Sequence, residues 1–551
     1  MRAQWSGVVK LCGLLLGVCA AASAGQNPDQ TAQQSSGEAQ TYKIAGTAVN
    51  GVTGVPLARV KVSVADTHAR AKRIEAFTGE GGRFEFGGLP AGKYALQGTR
   101  SGYLVSAYQQ HEQFSTAIVT GPEFETEKLV LRLMPMATIA GRAVDEAGEP
   151  VRSAQVRLYV EDHSAGMSRV VSTGGAVSDD RGYFDIGGLR PGTYFVSLNA
   201  KPWYAVHPSG KSSEQRVSPA LDVAYPTTFY GGATEAEGAA PIELKGGELR
   251  EIEIRLSPVP ALRLVFRGPE EGPFQMPMLQ KRVFDSVQPL QVTETRPVGP
   301  GVFELVGVPA GRYDLKTGSG ESGGAQVVSE MNLTRDGQDL SEIKGEALGT
   351  LKVTVKMPGE EPLPEEYGVG LRDARQRIVA FQPGQASGEV TFQAVKAGKY
   401  GIVFASPRKR YAVERIATAS GETAGHQEVD VAAGASVEVR TELVGGEVRI
   451  EGMAEKNGKP VTGVMVALVP NNPEANVDLF RRDQSDFDGT FTLAGVVPGM
   501  YTIVAVENAW GFEWLKAEVL ARYVQHGRNV IIGEKMRGTL HLPDAVEVQE
   551  R

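Results

Sequence analysis

The stretch "GGRFEFGGLPAGKYAL", residues 81–96, decides the fold, because five variants of it recur along the chain. Phe84 and Phe86 lie two positions apart, so both side chains point to one face of a β-strand. The Pro and Gly that follow reverse the chain, and a second strand runs on from the tyrosine. Each copy therefore predicts a β-hairpin or a corner between two sheets.

The five copies share a phenylalanine, a glycine and a tyrosine at nearly constant spacing. The phenylalanine precedes the tyrosine by ten residues in four copies and by eight in the fourth copy along the chain. The tyrosine either anchors a corner through a hydrogen bond from its hydroxyl to the backbone or is a plain core aromatic, and the pattern leaves both open. The shared positions are Phe84, Gly92, Tyr94, Phe184, Gly192, Tyr194, Phe303, Gly311, Tyr313, Phe392, Gly398, Tyr400, Phe491, Gly499 and Tyr501.

A second repeated phrase precedes the first and reads as strand, turn and strand. Its clearest copies lie at 44–64, 139–160 and 449–469, with looser ones near 261–285 and 349–373. Domains of this size with many short strands and regular turns indicate antiparallel sandwiches. We predict an all-β chain of about five immunoglobulin-like or transthyretin-like sandwiches in tandem.

The expected boundaries follow from these repeats. Short linkers near 134–138, 257–260, 344–348 and 442–446 predict an extended and fairly stiff rod. Aliphatic residues at helical spacing predict one short helix at 514–524. The segments are a signal peptide at 1–24, a disordered leader at 25–41, sandwiches at 42–134, 135–258, 259–345, 346–443 and 444–543, an aromatic-rich insertion at 198–247 within the second sandwich, and a tail at 544–551.

The N-terminal residues have the pattern of a secretory signal. Arg2 and Lys10 flank a charged region, "LCGLLLGVCAA" is an apolar core, and "ASA" ending at Ala24 supplies a cleavage site. We therefore expect export through the Sec route to an extracellular, periplasmic or cell-surface location, with no transmembrane segment. A lipoprotein alternative would use Cys19, but Val18 stands where a small residue is required.

Composition excludes several classes of function. Both cysteines, Cys12 and Cys19, lie in the signal, so the mature chain would have neither disulfides nor thiol chemistry. The formal net charge of −8 argues against nucleic-acid partners, since those binders need clustered positive charge. The one basic run, Arg408 to Arg410, is interpreted as a solvated loop or strand end.

The paired phrases resemble the carboxypeptidase regulatory-like domain, a transthyretin-like (prealbumin-like) β-sandwich often grouped with carbohydrate-binding-like folds. The match is good in sandwiches one, two and five and weaker in three and four. The resemblance implies a fold and carries no catalytic residue. It also implies a module without its peptidase, because none of the seven histidines begins the H-x-x-E pair that a zinc carboxypeptidase needs.

Two further kinds of motif resemble functional sites as text, but the surrounding sequence favours an ordinary loop or turn for both. "GESGG" at 320–324 matches a nucleophile elbow as text, but it lies in a Gly/Ser loop without the required strand and helix. "SDFDGTF" at 485–491 and "SDDRGYF" at 178–184 are typical of tight turns, with a weak calcium site as the alternative. We expect no metal and no cofactor, and a Lys–Asn isopeptide is not favoured because the first unit has no Asn in its closing strand.

Aromatic residues in loops remain as candidates for binding. Flat rings can stack on the C–H faces of sugars, although the same rings can pack between neighbouring sandwiches. The candidates fall in the insertion and in the fifth sandwich, and they are Trp203, Tyr204, Tyr225, Tyr230, Trp510 and Trp514.

Three functions stay open on this basis. The main hypothesis is an exported, non-catalytic binding protein for a polysaccharide or cell-surface glycan. The alternative is a structural or assembly spacer, or an accessory protein of a cell-envelope complex with an envelope protein as partner. The third hypothesis is an enzyme with unrecognised chemistry. It is disfavoured, because the sequence contains no recognisable group of catalytic residues.

Overall fold

The structure is a computed structural model. It describes residues 40–68, 73–208, 218–268, 275–290, 294–318, 326–342, 345–357, 359, 361–418, 421–423 and 428–551. The expected signal peptide, nearly all of the leader and the "GESGG" motif lie outside the described residues. No helix among the described residues has the length and apolarity needed to cross a membrane.

The first sandwich packs a three-stranded sheet, in the order β4-β1-β8, against a five-stranded sheet in which β2 and β5 are central. The buried faces carry the alternating side chains of the repeated phrase, including Phe84 and Phe86 on β4. The strands are β1 (Tyr42–Asn50), β2 (Lys61–Asp66), β3 (Arg73–Phe77), β4 (Arg83–Leu89), β5 (Gly92–Thr99), β6 (Ser106–Ala107), β7 (Ile118–Thr120) and β8 (Leu129–Leu133).

The second sandwich repeats this plan, with sheets β12-β9-β17 and β11-β10-β13-β15, and with β16 added to β13. As in the first, the opening strand pairs antiparallel with one neighbour and parallel with the closing strand. The strands are β9 (Ala137–Val144), β10 (Gln155–Asp162), β11 (Arg169–Val177), β12 (Tyr183–Leu189), β13 (Gly192–Asn199), β14 (Val223–Ala224), β15 (Thr228–Phe229), β16 (Ile242–Leu244) and β17 (Leu249–Arg255).

The third sandwich receives a strand from the second. Strand β14, which lies in the insertion, pairs with β18 and extends the sheet β14-β18-β22-β21. The opposite sheet has the order β20-β19-β23-β24-β26. The strands are β18 (Val259–Arg267), β19 (Gln275–Val283), β20 (Ser286–Pro289), β21 (Glu294–Gly299), β22 (Val302–Pro309), β23 (Gly311–Gly318), β24 (Gln326–Leu333), β25 (Gln338–Asp339) and β26 (Glu346–Ala347).

The fourth sandwich has sheets β30-β27-β35-β32-β33 and β29-β28-β31-β34. Strand β29 is an edge strand whose side chains are mostly exposed. The strands are β27 (Gly349–Lys356), β28 (Gly368–Arg372), β29 (Ile378–Pro383), β30 (Glu389–Val395), β31 (Gly398–Ala405), β32 (Tyr411–Thr418), β33 (Gly421–Thr423), β34 (Glu428–Val431) and β35 (Ser436–Gly445).

The fifth sandwich contains the α-helix α1 (Ala517–Val524), inside the predicted range 514–524. Residues 544–551, expected as a tail, include β44, which pairs with β36 and β41. The strands are β36 (Val448–Lys456), β37 (Lys459–Pro460), β38 (Met465–Pro470), β39 (Arg481–Gln484), β40 (Thr490–Val496), β41 (Gly499–Val506), β42 (Arg528–Ile532), β43 (Gly538–His541) and β44 (Val546–Gln549). The prediction of tandem β-sandwiches with one short helix is confirmed.

Every motif tyrosine is buried and donates its hydroxyl to the backbone carbonyl four residues earlier. The shared arrangement combines both alternatives left open by the sequence, since the ring fills the core while the hydroxyl holds the turn. The bonds run from Tyr94 to Pro90 (3.0 Å), Tyr194 to Arg190 (2.9 Å), Tyr313 to Pro309 (2.9 Å), Tyr400 to Lys396 (2.8 Å) and Tyr501 to Val497 (2.9 Å).

The expected extended rod is wrong, because the first sandwich contacts the fifth. Lys93 Nζ lies 2.6 Å from Asp486 Oδ2, although nearly four hundred residues separate them in sequence. The fifth sandwich also contacts the second, where the Leu515 amide donates to the Gly166 carbonyl (3.0 Å). Short linkers alone do not give a rod, because side chains on successive modules decide the angle between them.

Candidate functional site: the contact between the first and fifth sandwiches

The richest cluster of charged and aromatic side chains lies between the first and fifth sandwiches. It is assembled from the segment 109–117, which joins β6 to β7, and from β39 with the turn that follows it. Two backbone-linked contacts fix the register of the two segments: the Ala117 amide donates to Asp486 Oδ1 (2.9 Å), and the Phe487 amide donates to the Ala117 carbonyl (3.0 Å).

Lys93 on β5 contacts the turn at 486–489 of the fifth sandwich, here called the aspartate turn. Its ammonium donates to Asp486 Oδ2 (2.6 Å) and to Thr490 Oγ1 (2.5 Å), and it lies 3.8 Å from Asp488 Oδ1. The Gly489 amide closes the turn on the Asp486 carbonyl (2.9 Å). A protein ammonium therefore occupies the space between the carboxylates that a calcium ion would need, and this turn serves as a docking point for Lys93.

Arg482 on β39 is the central cation of the contact. Its side chain is 5% exposed, its Nη2 lies 2.7 Å from Glu112 Oε2, and it also donates to the Ser164 carbonyl (3.1 Å). The guanidinium carbon lies 4.4 Å from the ring centre of Trp514 and 5.4 Å from that of Phe114. One buried guanidinium thus touches the first, second and fifth sandwiches at once.

A polar network lies beside Arg482. Gln484 donates its side-chain amide to the Gln109 carbonyl (2.7 Å) and to Thr116 Oγ1 (2.8 Å), and its Oε1 lies 3.0 Å from His111 Nδ1. The His111 ring stacks on Trp510 with 5.0 Å between ring centres and 4° between planes. Because buried polar groups need partners, this network ties the two sandwiches in one geometry.

Two carboxyl groups at this contact have raised pKa values. Burial raises the pKa of Asp483 to about 6, with a further contribution from the neighbouring Asp486 carboxylate, while the Thr492 amide (2.7 Å from Oδ2) acts in the opposite direction. Burial also raises the pKa of Asp486, opposed by the charge of Lys93. Desolvation of the charged form dominates at both positions.

The predicted sugar-binding aromatics mostly touch protein. Trp510 stacks on His111 and donates its indole N–H to the Gly463 carbonyl (3.3 Å), and Trp514 packs against Arg482 and Phe480. Local sequence does not indicate these partners, because each lies in another sandwich or in a distant segment. Segment 109–117 and β39 carry no repeat, so the sequence does not predict their part in the contact.

The aromatics of the insertion divide between core and surface. Tyr225 is buried and donates to Glu146 Oε2 (2.9 Å), and Tyr204 donates to the other oxygen of the same carboxylate. Tyr230 packs against the core of the second sandwich. Trp203 alone of the six candidates is open, with 86% of its surface exposed and its ring edge-on to Tyr204 at 5.8 Å.

The insertion itself joins the second sandwich to the third. Phe284 of the third sandwich packs against Tyr159, Phe195 and Phe229 of the second, and the Arg296 guanidinium donates to the His207 carbonyl (2.8 Å). Of these contacts, those of Phe229 and His207 belong to the insertion, and strand β14 adds a third, so the insertion takes part in the packing between these two modules.

Among the described residues, no group of three or more His, Cys, Asp or Glu side chains is placed to hold a metal ion. Six of the seven histidines lie among the described residues, and two of them have different partners: His111 contacts Gln484 of the fifth sandwich, whereas His207 contacts Asp222 within the insertion. The side chains at the contact can hold the first and fifth sandwiches together, pair opposite charges and exclude water between them.

Comparisons with known proteins add a similarity of fold only. No family model matches the chain, and no curated protein matches it in sequence. Among solved structures, the Bacillus anthracis TIE protein is 11% identical, with 74% of this chain and 76% of that chain covered and a TM-score of 0.19. The minor pilin GBS52 of Streptococcus agalactiae is 12% identical (40% and 97% covered, TM-score 0.21). The major pilin subunit BcpA of Bacillus cereus is 10% identical (73% and 99% covered, TM-score 0.14). TM-scores of this size carry neither a function nor a partner from those proteins to this chain.

Proposed function

We propose that this chain is a non-catalytic structural protein, exported to the cell envelope or surface, where its joined sandwiches form one building block of a larger assembly. The observation that carries the proposal is the use of candidate binding side chains as contacts between modules. Trp510, Trp514 and the aspartate turn hold the first, second and fifth sandwiches together. Such contacts suit a component that must keep a fixed shape against protein partners.

The resemblance to carboxypeptidase regulatory-like modules is compatible with this role, and it remains part of the proposal. A module of that kind without a peptidase supplies a rigid body and loops. The signal-like N-terminus supports export, which places the assembly outside the cytoplasm.

The test is the size of the protein in its own cells. Envelope fractions are solubilised under mild conditions and separated by native size, next to the purified chain. We expect the protein to move with a complex larger than the purified chain. Recovery at the size of the isolated chain, or in the cytoplasmic fraction, would contradict the structural role.

A second candidate function is glycan binding at Trp203. The observation that favours it is the exposure of Trp203 beside Tyr204, with the Glu146 carboxylate bonded to Tyr204. Retention on immobilised polysaccharides, lost in Trp203→Ala and kept in Tyr183→Ala, would support it. Tyr183 is a suitable control because it is an exposed aromatic on the same sandwich. Trp510→Ala is a poor probe, because that ring packs inside the contact between sandwiches.

A further inference from the structure

A groove on the fourth sandwich gathers the basic run of the sequence next to aromatic rings. It has a volume of about 580 Å³ and lies between the ends of β28 and β29 and the loop that joins β31 to β32. Its lining includes Tyr367, Phe381, Ser406 and the three cations Arg408, Lys409 and Arg410. The proposed structural role does not use this groove.

In the described part of the chain, two of the three cations of the groove have no carboxylate partner. Lys409 is paired with Glu447. Among the described residues, neither Arg408 nor Arg410 forms an ion pair, and both are exposed. The lining contains one carboxylate, that of Glu366. The groove therefore carries an excess of positive charge in a chain whose net charge is negative.

A further arginine, outside the lining of the groove, lies close to Arg410. Arg481 of the fifth sandwich lies near Arg410, and both side chains contact Gly495: an added Cβ there would meet Arg410 Cβ at 2.8 Å and Arg481 Nε at 4.0 Å. Burial and the charge of Arg410 lower the pKa of Arg481. The Arg481 guanidinium donates to the backbone carbonyls of Gly495, Asp478 and Phe480, so it adds positive charge beside Arg410 without entering the groove.

The aromatic side of the groove includes a ring that is partly exposed to solvent. The Phe381 ring lies over Gly368 and Gly370, since a Cβ added at Gly368 would meet the ring at 2.2 Å. Phe381 is nevertheless 55% exposed to solvent. The ring is therefore backed by the sheet and open on the outside. Nearby, the buried Ser406 hydroxyl has no hydrogen-bond partner. An open, backed aromatic ring beside free guanidinium groups matches a sugar ring that bears a carboxylate.

We propose that this groove binds acidic polysaccharide, with the C–H face of a uronic acid residue on Phe381 and its carboxylate on Arg408 and Arg410. An acidic peptide would satisfy the arginines but would make no specific use of the open phenylalanine face. Binding weakens with salt, because the contact is made by exposed charges.

The experiment measures binding of the whole chain to polygalacturonate, with dextran as the neutral polymer and poly-glutamate as the acidic peptide. We expect binding to polygalacturonate, none to dextran, and loss with added salt. The double change Arg408→Gln and Arg410→Gln should weaken binding about tenfold, and Phe381→Ala should weaken it severalfold. Glu366→Gln should strengthen it, since it removes the one carboxylate of the groove.

The matched control is Arg440→Gln, which removes an exposed arginine from β35 on the other sheet of the same sandwich and should leave binding unchanged. Unfolding midpoints verify that each variant folds. The proposal is overturned if polygalacturonate does not bind, or if Arg440→Gln has the same effect as the groove variants. It is also overturned if poly-glutamate binds as tightly and Phe381→Ala changes nothing, which would indicate a site for acidic peptides.

Discussion

At the residue scale, four of the five motifs share a glycine, after the phenylalanine, in a backbone conformation that other residues avoid. It lies four positions after the motif phenylalanine, where the strand bulges before the turn. The φ angles are +71° at Gly88, +75° at Gly188, +74° at Gly307 and +68° at Gly495. In the fourth copy, whose turn is shorter, Ala394 has φ +60° near the corresponding bend. The left-handed conformation costs about 1–2 kcal/mol for a residue with a Cβ.

We predict that Gly88→Ala lowers the free energy of unfolding by about 1 kcal/mol. A Cβ at Gly88 would meet nothing within 4 Å, so the loss comes from the backbone and not from a clash. Gly87→Ala, at the neighbouring position without positive φ, is the control and should be close to neutral. Denaturant unfolding of both variants measures the difference; equal losses would show that the conformation of Gly88 is not the cause.

At the element scale, β39 differs from the corresponding strands β3 and β29 in being covered by another sandwich. Strands β3 and β29, at the edges of their sheets, expose Phe77 (71%) and Phe381 (55%). On β39, Arg482 and Gln484 are instead buried against the first sandwich. An edge strand that is covered by another module is protected from pairing with other chains.

The carboxyl of Asp483 on this strand gives a prediction for pH. Its folded pKa of about 6 lies above the ordinary value of 3.8, so the folded state favours the protonated form. The stability contributed by this group is therefore full below pH 4 and is lost as pH rises through 6. The variant Asp483→Asn cannot ionise and can still accept a hydrogen bond from the Thr492 amide. At pH 7 its free energy of unfolding should be about 1 kcal/mol higher than that of the parent.

The measurement compares denaturant midpoints at pH 7 and pH 4. The gain in the denaturant midpoint should shrink at pH 4, where the Asp483 carboxyl of the parent is largely protonated and therefore also uncharged. Asp430→Asn, at an exposed position on β34, serves as the control and should show no such gain at pH 7. A gain of the same size at both pH values would mean that ionisation of Asp483 is not its source.

At the scale of the whole molecule, the contact between the first and fifth sandwiches sets the arrangement of the modules. Its pairs are separated by more than 360 residues in sequence, as in Glu112 and Arg482. The contact is formed by the buried Glu112–Arg482 ion pair, the partly exposed Lys93–Asp486 pair, a stacked histidine and tryptophan, and backbone hydrogen bonds. Removing one partner of a buried ion pair leaves the other without compensation and costs about 3–5 kcal/mol.

We predict that Arg482→Ala separates the first sandwich from the fifth and leaves each sandwich folded. Small-angle scattering should then give a larger radius of gyration than the parent has. Arg449→Ala, on the exposed face of β36, is the control and should leave the radius unchanged. An unchanged radius in Arg482→Ala would show that this guanidinium does not hold the contact.

The parent chain can be tested without mutation. A carbodiimide joins an amine to a carboxylate that it touches, so Lys93 and Asp486 should form a direct cross-link in the monomer fraction. Mass spectrometry would identify the joined peptides. A cross-link that occurs only in dimers would contradict closure within one chain.

Local sequence was sufficient for the modules and their hairpins. Alternating apolar residues such as Phe84 and Phe86, followed by Pro and Gly, act within about twenty residues, so their effect can be read from a short stretch. The helix at Ala517–Val524 follows in the same way from aliphatic spacing. The tyrosines are identifiable from sequence as repeated positions, while the choice between hydroxyl anchor and core ring depends on the tertiary structure.

Tertiary structure alone decided how the modules join. Lys93 lies in the repeated stretch but is not one of its shared positions, and Glu112 and Arg482 belong to no motif. These ordinary surface residue types become a site only because distant segments meet. The same holds for the aromatics, since Trp510 and Trp203 look alike in sequence, yet one ring is stacked on His111 and the other is exposed. Packing between modules depends on shape and charge brought together over hundreds of residues, and local patterning carries no record of that pairing.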